Sequence, residues 1–295
     1  MFYLFPLLTV SIWAGNAIVN KLSFSVIDPG AISFYRWFVA MLVLTPFVLR
    51  SVWLNWSTIR PYIPQLAFLA LLGMVLNQSL GYFAAETTTA TNMALIISLV
   101  PLISMFLSVP LLGQRLLPLA IVGAVLSLAG LVLMLSHGDI SNFASQGITV
   151  GDALLLLAAF VYALYCVLLK RWQMPLSTWQ SVYVQGVLAV LMLVPLLMDS
   201  ERVAITAESL PLIMYAAIPA SVIAPWCWMQ GIQRLGADRT AMFMNLMPVI
   251  TAGIASVMLS EQLAAYHYVG GGMVLAGVVL AQRKPKVRVQ QLATA

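Results

Sequence analysis

Ten apolar stretches dominate this sequence, and nothing else in it constrains the fold as strongly. They run at about 4–22, 30–49, 64–86, 92–112, 118–136, 151–169, 179–198, 210–233, 239–259 and 267–282, parted by short polar separators. A hydrocarbon core about 30 Å thick is crossed by roughly 20 residues of helix, so each stretch has the length of one crossing. Unpaired backbone groups are costly in lipid, and none of these runs alternates as a barrel strand would. The expected fold is therefore an all-α integral membrane protein with ten transmembrane helices. Composition agrees, with 62% of the 295 residues apolar and only 8% charged, against about 25% charged in an ordinary soluble domain. Only Met1, Phe2 and Tyr3 precede the first stretch, without a basic region, so a retained helix is expected there rather than a cleaved signal.

The basic residues set an expected orientation. With the N-terminus in the cytoplasm, Arg50, Arg60, Arg115, Lys170, Arg171, Arg234, Arg239, Arg283, Lys284, Lys286 and Arg288 fall on that side. Lys21 and Arg202 are left outside, and Arg36 lies within a span. Eleven against two is a strong positive-inside bias, which places both termini in the cytoplasm of a bacterial-type inner membrane. The net charge of +5 then follows from topology and contact with membrane lipid, and calls for no nucleic-acid partner. Two cysteines without clustered histidines give neither a disulfide framework nor a metal site, so no metal or cofactor is expected.

The chain also repeats itself after 147 residues. ATNMALIISLVPLI at 90–103 aligns without a gap with ADRTAMFMNLMPVI at 237–250. At the same offset Ala94 matches Ala241, Leu99 Leu246, Pro101 Pro248, Leu116 Leu263, Gly123 Gly270 and Gly130 Gly277. The expected domains are a five-helix repeat at 1–147, a second at 148–284 and a basic cytoplasmic tail at 285–295. An odd number of crossings per repeat inverts the second copy relative to the first. Two inverted halves have two nearly equivalent arrangements, which is the logic of alternating access. Pro101 and Pro248 interrupt corresponding spans, deprive the carbonyls of Ile97 and Met244 of a helical partner, and are the gating candidates. The bland alternative is a packing bend.

Several segments resemble the EamA branch of the drug/metabolite transporter superfamily. They are WAGNAIVNKL in the first span, FYRW in the second, ATNMALIISLVPLISMFLSVPLLGQRL with its counterpart ending in VMLSEQL, and the glycine-spaced last span. The resemblance covers nearly the whole chain. It implies a carrier of small organic metabolites, commonly an exporter of amino acids or related compounds, with a cavity lined by the first four helices of each half. One departure is that the acidic residue typical after the fourth span is Gln114 in the first copy and Glu261 only in the second.

Candidate substrate-binding residues come from polar stripes that should turn away from lipid. Trp13, Asn16 and Asn20 share a face of the first span. Gln78, Tyr82 and Glu86 are spaced by four in the third, with Asn77 beside them, and Trp226, Gln230 and Gln233 do the same in the eighth. Such amides also serve as interhelical glue, for about 0.6 kcal/mol each. Arg36, placed about two turns inside the second span, needs a partner, and the candidates are Glu86, Asp28 or a substrate carboxylate. Glu86 is also the candidate for proton coupling. Tyr162 and Tyr165 offer rings away from the span ends, and Asn245 sits among Met242, Met244 and Met247, whose soft side chains suit varied ligands. Cys166 and Cys227 read as packers, and His137 and His267 as interfacial side chains. Gly123 with Ser127, and Gly272 with Ala276, allow close helix approach within a monomer or a homodimer.

The residues thus point to a non-enzymatic membrane transporter with a small-molecule substrate. A lipid-acting enzyme would need converging acids, histidines or metal ligands, which the sequence does not offer. A passive channel or a non-transporting scaffold remains the alternative.

Overall fold

The computed structural model describes residues 2–114, 116, 118–138, 149–235, 240 and 242–281. All regular structure among them is helical. The helices are α1 (Leu4–Ser23), α2 (Pro29–Leu54), α3 (Trp56–Ala84), α4 (Ala90–Leu112), α5 (Pro118–Leu135), α6 (Val150–Trp172), α7 (Thr178–Met198) and α8 (Ser209–Leu235). After them come α9 (Met247–Met258), entered through a 3-10 turn at Met242–Leu246, and α10 (Ala265–Ala281). Seven of these, α2 to α8, are long and apolar enough to cross a membrane. α1 has its apolar run broken by Asn16, Asn20 and Lys21, and α9 and α10 are shorter apolar helices. Arg115, Arg239, Ala241, Arg283, Lys284, Lys286, Arg288, the 147/148 boundary and the 285–295 tail lie outside the described residues.

Local chemistry sets several helix ends. The hydroxyls of Thr89, Thr149 and Ser177 accept from the backbone N–H three residues on, capping α4, α6 and α7, and Gln180 completes a capping box with Ser177. Gly113 ends α4 in the left-handed region at φ 66°, where a side chain would be strained. Phe47, Trp53 and Val257 are among the apolar side chains left outward, as a lipid-facing surface requires.

Packing is organised by exchanged pairs. α2 lies along α7 and α5 along α10, while α1 packs on α8 and α9, and α6 packs on α3 and α4. The α5/α10 contact is the tightest. Gly123 meets Gly277 and Gly130 meets Gly270, and a Cβ on any of the four would run into the opposing backbone. Between them Ser127 donates to the carbonyl of Val274 at 3.0 Å. The other small pair, Gly272 and Ala276, lies outside this close contact, because both are exposed and a Cβ on Gly272 would meet open space.

Four helices are interrupted. α3 and α8 widen into π turns at Leu71–Leu76 and Pro219–Ile223. α4 breaks at Ser98 and Leu99 and restarts with Pro101 in its first turn, and α9 begins with Pro248 in the same position. A proline in a first helical turn removes an N–H that would be unpaired anyway, so it marks a restart rather than a distortion.

Candidate functional site

The interrupted helices surround a hollow. A cavity of about 160 Å³ lies between α1, α2, α3, α4, α6 and the entry to α9. Trp13, Asn16, Asn20, Arg36, Asn77 and Gln78 form its polar wall, and Met93, Ile97, Leu155, Met244 and Met247 its apolar one. Tyr162 belongs to this cavity and to a second lobe of about 290 Å³, which also shares Trp13, Arg36 and Gln78. The second lobe passes Trp37, Met74, Tyr165, Ser221 and Trp228 and reaches Thr178 and Trp179 in the first turn of α7.

The π turns shape this lobe. A wider turn leaves carbonyl oxygens without their usual helical donor. The indole N–H of Trp37 donates to the carbonyl of Met74 at 3.1 Å, and that of Trp13 to Ala220 at 3.1 Å, so each π turn is tied to a tryptophan of another helix. Ser221, within the second π turn, donates back to Ala216 at 2.8 Å and keeps its oxygen free to accept.

Arg36 uses that acceptor. Only 3% exposed, it donates from Nε to Ser221 Oγ at 2.7 Å, and from Nη1 to Gln78 Oε1 at 2.8 Å and Tyr82 Oη at 3.4 Å. Its guanidinium carbon also lies 5.8 Å from the Trp37 ring centre. All these partners are neutral, and no hydrogen bond of Nη2 is formed among the described residues. The expected carboxylate partners are corrected: Asp28 is engaged by Arg202, and Glu86 is exposed beyond the end of α3. From Arg36 the polar chain continues, because Gln78 Nε2 donates to Asn77 Oδ1 at 3.1 Å and Asn77 Nδ2 to the Ala158 carbonyl of α6 at 3.0 Å. On α1, Asn16 donates to Asn20 at 3.2 Å while its own buried Oδ1 has no partner.

Among the sequence candidates, Trp13, Asn16, Asn20, Arg36, Asn77, Gln78 and Tyr162 come together around the first cavity. Tyr165 stacks on Tyr162 with centroids 5.5 Å apart and lines the second lobe, and Tyr82 is wholly buried behind Arg36. Pro101 and Pro248 stand at the restarts whose neighbours Ile97 and Met244 line the cavity. Glu86 lines neither lobe. Trp226 is 44% exposed and sits in a separate outer groove with Phe47 and Ile223. Gln230 and Asn245 are half-buried and line neither lobe. The periodicity of α8 was real, but its inner face is Ser221, Pro225, Trp228 and Met229, one step round from the polar stripe. Ser221, Trp37, Trp179 and Trp228 are residues that sequence reasoning missed. Only the adjacency of Trp37 to Arg36 hinted at any of them.

One end of the bundle is held by polar contacts between loops. Arg202 Nε meets Asp28 Oδ1 at 2.7 Å, and its other nitrogens donate to the carbonyls of Ser25 and Phe24. The backbone N–H groups of Glu201 and Arg202 donate to Asp28 as well, and this hydrogen bonding, led by the Arg202 backbone, holds the Asp28 carboxyl below the usual range. Nearby, Asp152 accepts from Thr88 at 2.6 Å and from Thr149 at 2.7 Å. Glu261 accepts from the backbone of Ala90 and Thr91 and from the Thr91 hydroxyl, so a carboxylate from the α9–α10 connection caps the N-terminus of α4. Gln114, its sequence counterpart, is exposed.

Known proteins place this architecture. A curated relative from Archaeoglobus fulgidus, named an uncharacterized transporter, is 28% identical over 94% of this chain and 96% of its own length. The uncharacterized transporter YyaM of Bacillus subtilis is 27% identical over 97% and 96%. A probable terminal-alkyne amino-acid exporter of Streptantibioticus cattleyicolor is 22% identical over 79% of this chain and 77% of its own. A solved crystal structure covering 100% of this chain and 98% of its own has a TM-score of 0.64 at 17% identity, a likeness of fold. The EamA-like transporter family matches residues 1–136 and again 149–282. With nearly the whole length matched, the chain belongs to the EamA-like transporter family.

Proposed function

We propose that this protein is a secondary-type carrier of small organic metabolites, moving amino acids or related compounds outward by alternating access of two inverted five-helix halves. The observation that carries the reading is a hollow walled by both halves, with a buried arginine that no acid among the described residues neutralises. The inversion is supported by the exchanged packing. Gly123 and Gly270, 147 residues apart, are each paired with a member of the equally spaced set Gly130 and Gly277. The α1 contact with α9 is answered by α6 with α4, and the α1 contact with α8 by α6 with α3. Two separate matches to one family support it too. The amino-acid class rests on the family resemblance and on the name of the Streptantibioticus relative.

In this reading the end held by Asp28–Arg202, Asp152 and Glu261 faces outward and is shut, while the second lobe leads from Arg36 toward the cytoplasm past Trp179. Pro101 and Pro248 mark where α4 and α9 flex. Glu86, exposed and away from the cavity, is assigned no coupling proton. Counterflow in proteoliposomes tests the reading. Vesicles loaded with unlabelled amino acids should accumulate radiolabelled ones by saturable exchange. Unsaturable flux without counterflow would identify a channel, and no exchange across a broad metabolite panel would overturn the carrier reading.

A further inference from the structure

The guanidinium of Arg36 is buried in the bundle with neutral partners only, and that sets what the cavity can hold. A charge at this depth is costly unless it is paired. Ser221, Gln78 and Tyr82 satisfy Nε and Nη1 and fix the plane of the fork. That leaves Nη2, on a side chain lining both lobes, as the donor edge available to a ligand. A charge-assisted hydrogen bond from Nη2 favours an anionic acceptor such as a carboxylate over any neutral group. No aspartate or glutamate lines either lobe among the described residues. An ammonium group would therefore meet no counter-charge and would lie close to a cation. The apolar part of the wall is Met93, Ile97, Leu155, Met244 and Met247, with Trp228 and Met229 in the second lobe. Such walls favour an apolar substituent.

We infer that the cavity selects apolar monocarboxylates through Arg36, with the α-amino group dispensable: 2-hydroxy and 2-oxo acids bind at least as tightly as 2-amino acids, while amines and carboxamides do not. This rests on the carrier reading but narrows it, because the determinant becomes the anion and not the amino acid as a whole.

Four probes separate the possibilities: L-leucine, its 2-hydroxy analogue, leucinamide and isopentylamine. Binding to the purified full chain is read by quenching of tryptophan fluorescence and, independently, by ligand-induced thermal stabilisation. The hydroxy acid should bind at least as tightly as leucine, and leucinamide and isopentylamine at least about tenfold more weakly than leucine, as loss of a charged hydrogen bond requires. Arg36→Gln should lose binding of both acids by at least about tenfold without a lower melting temperature for the unliganded protein, since it removes an unpaired buried charge. Arg36→Lys, which keeps the charge but not the hydrogen bonds to Ser221, Gln78 and Tyr82 that orient it, should fall between. Binding of isopentylamine as tight as that of leucine, binding by Arg36→Gln equal to the parent, or no binding of either acid would each overturn the inference. Counterflow of a metabolite without a carboxylate, with neither acid bound, would spare the carrier reading and sink this one. Binding of both acids without any counterflow would do the reverse.

Discussion

A guanidinium within a membrane-spanning helix is tolerated here because three neutral acceptors hold it, and each comes from a helix that also lines the hollow. The other well-placed arginine behaves differently. Arg202 is half-exposed and pairs with Asp28 at the end of the bundle, so its contribution is a latch between loops rather than a buried cost. Because the Asp28 carboxyl is held below its ordinary value, its stabilisation is present above the unfolded pKa, about 3.9, and is lost as pH falls through the folded one. Asp28→Asn should therefore cost about 1 kcal/mol near neutral pH, as partly exposed pairs do. The gap to the parent in thermal melts should close as the pH is taken below about 3.9. A gap that persists unchanged at low pH would show that the charge is not what holds the loops.

Helix interruptions recur at matched places, and these are the elements around which the cavity forms. The two π turns each surrender a carbonyl to a tryptophan, and the two proline restarts flank the apolar wall. The α5/α10 pair is the opposite kind of element, continuous and close-packed through four glycines. Gly123→Ala should push its Cβ into the carbonyl of Gly277 and cost about 1–3 kcal/mol, the usual cost of overpacking. Gly272→Ala on the exposed face of α10 should change the melting temperature little, because that Cβ meets open space. Equal effects from the two substitutions would contradict the glycine-mediated contact.

The exchanged contacts acquire their meaning at the scale of the whole molecule: in the proposed arrangement each half is the inverted image of the other about a pseudo-twofold axis in the membrane plane. Ser57 and Ala204 are both exposed and 147 residues apart, the first between α2 and the body of α3 and the second between α7 and α8. In a background with Cys166→Ala and Cys227→Ala, Ser57→Cys and Ala204→Cys should react with a membrane-impermeant maleimide from opposite sides of the bilayer. Labelling of both from one side would end the inverted-repeat reading and, with it, alternating access by exchange of halves.

The sequence by itself determined that the chain is helical and membrane-embedded, and where its helices lie, because hydropathy over roughly 20 residues and the need to satisfy backbone groups in lipid are local properties. It also located the Trp13–Asn16–Asn20 face, Arg36 and the Asn77–Gln78 pair, since polar groups in lipid must turn inward. Only the tertiary structure decided which side of α8 faces the hollow, because periodicity fixes that a helix has a stripe but not what stands opposite it. Trp226 thus went outward and Trp228 inward. The partners of Arg36 were equally hidden: Ser221 lies 185 residues away, on a π turn that no local pattern announces, and the acids that depth alone suggested were either engaged by another loop or left outside. Distance along a chain carries no information about pairing across a bundle, and the pairing is what leaves the arginine's charge with neutral partners among the described residues.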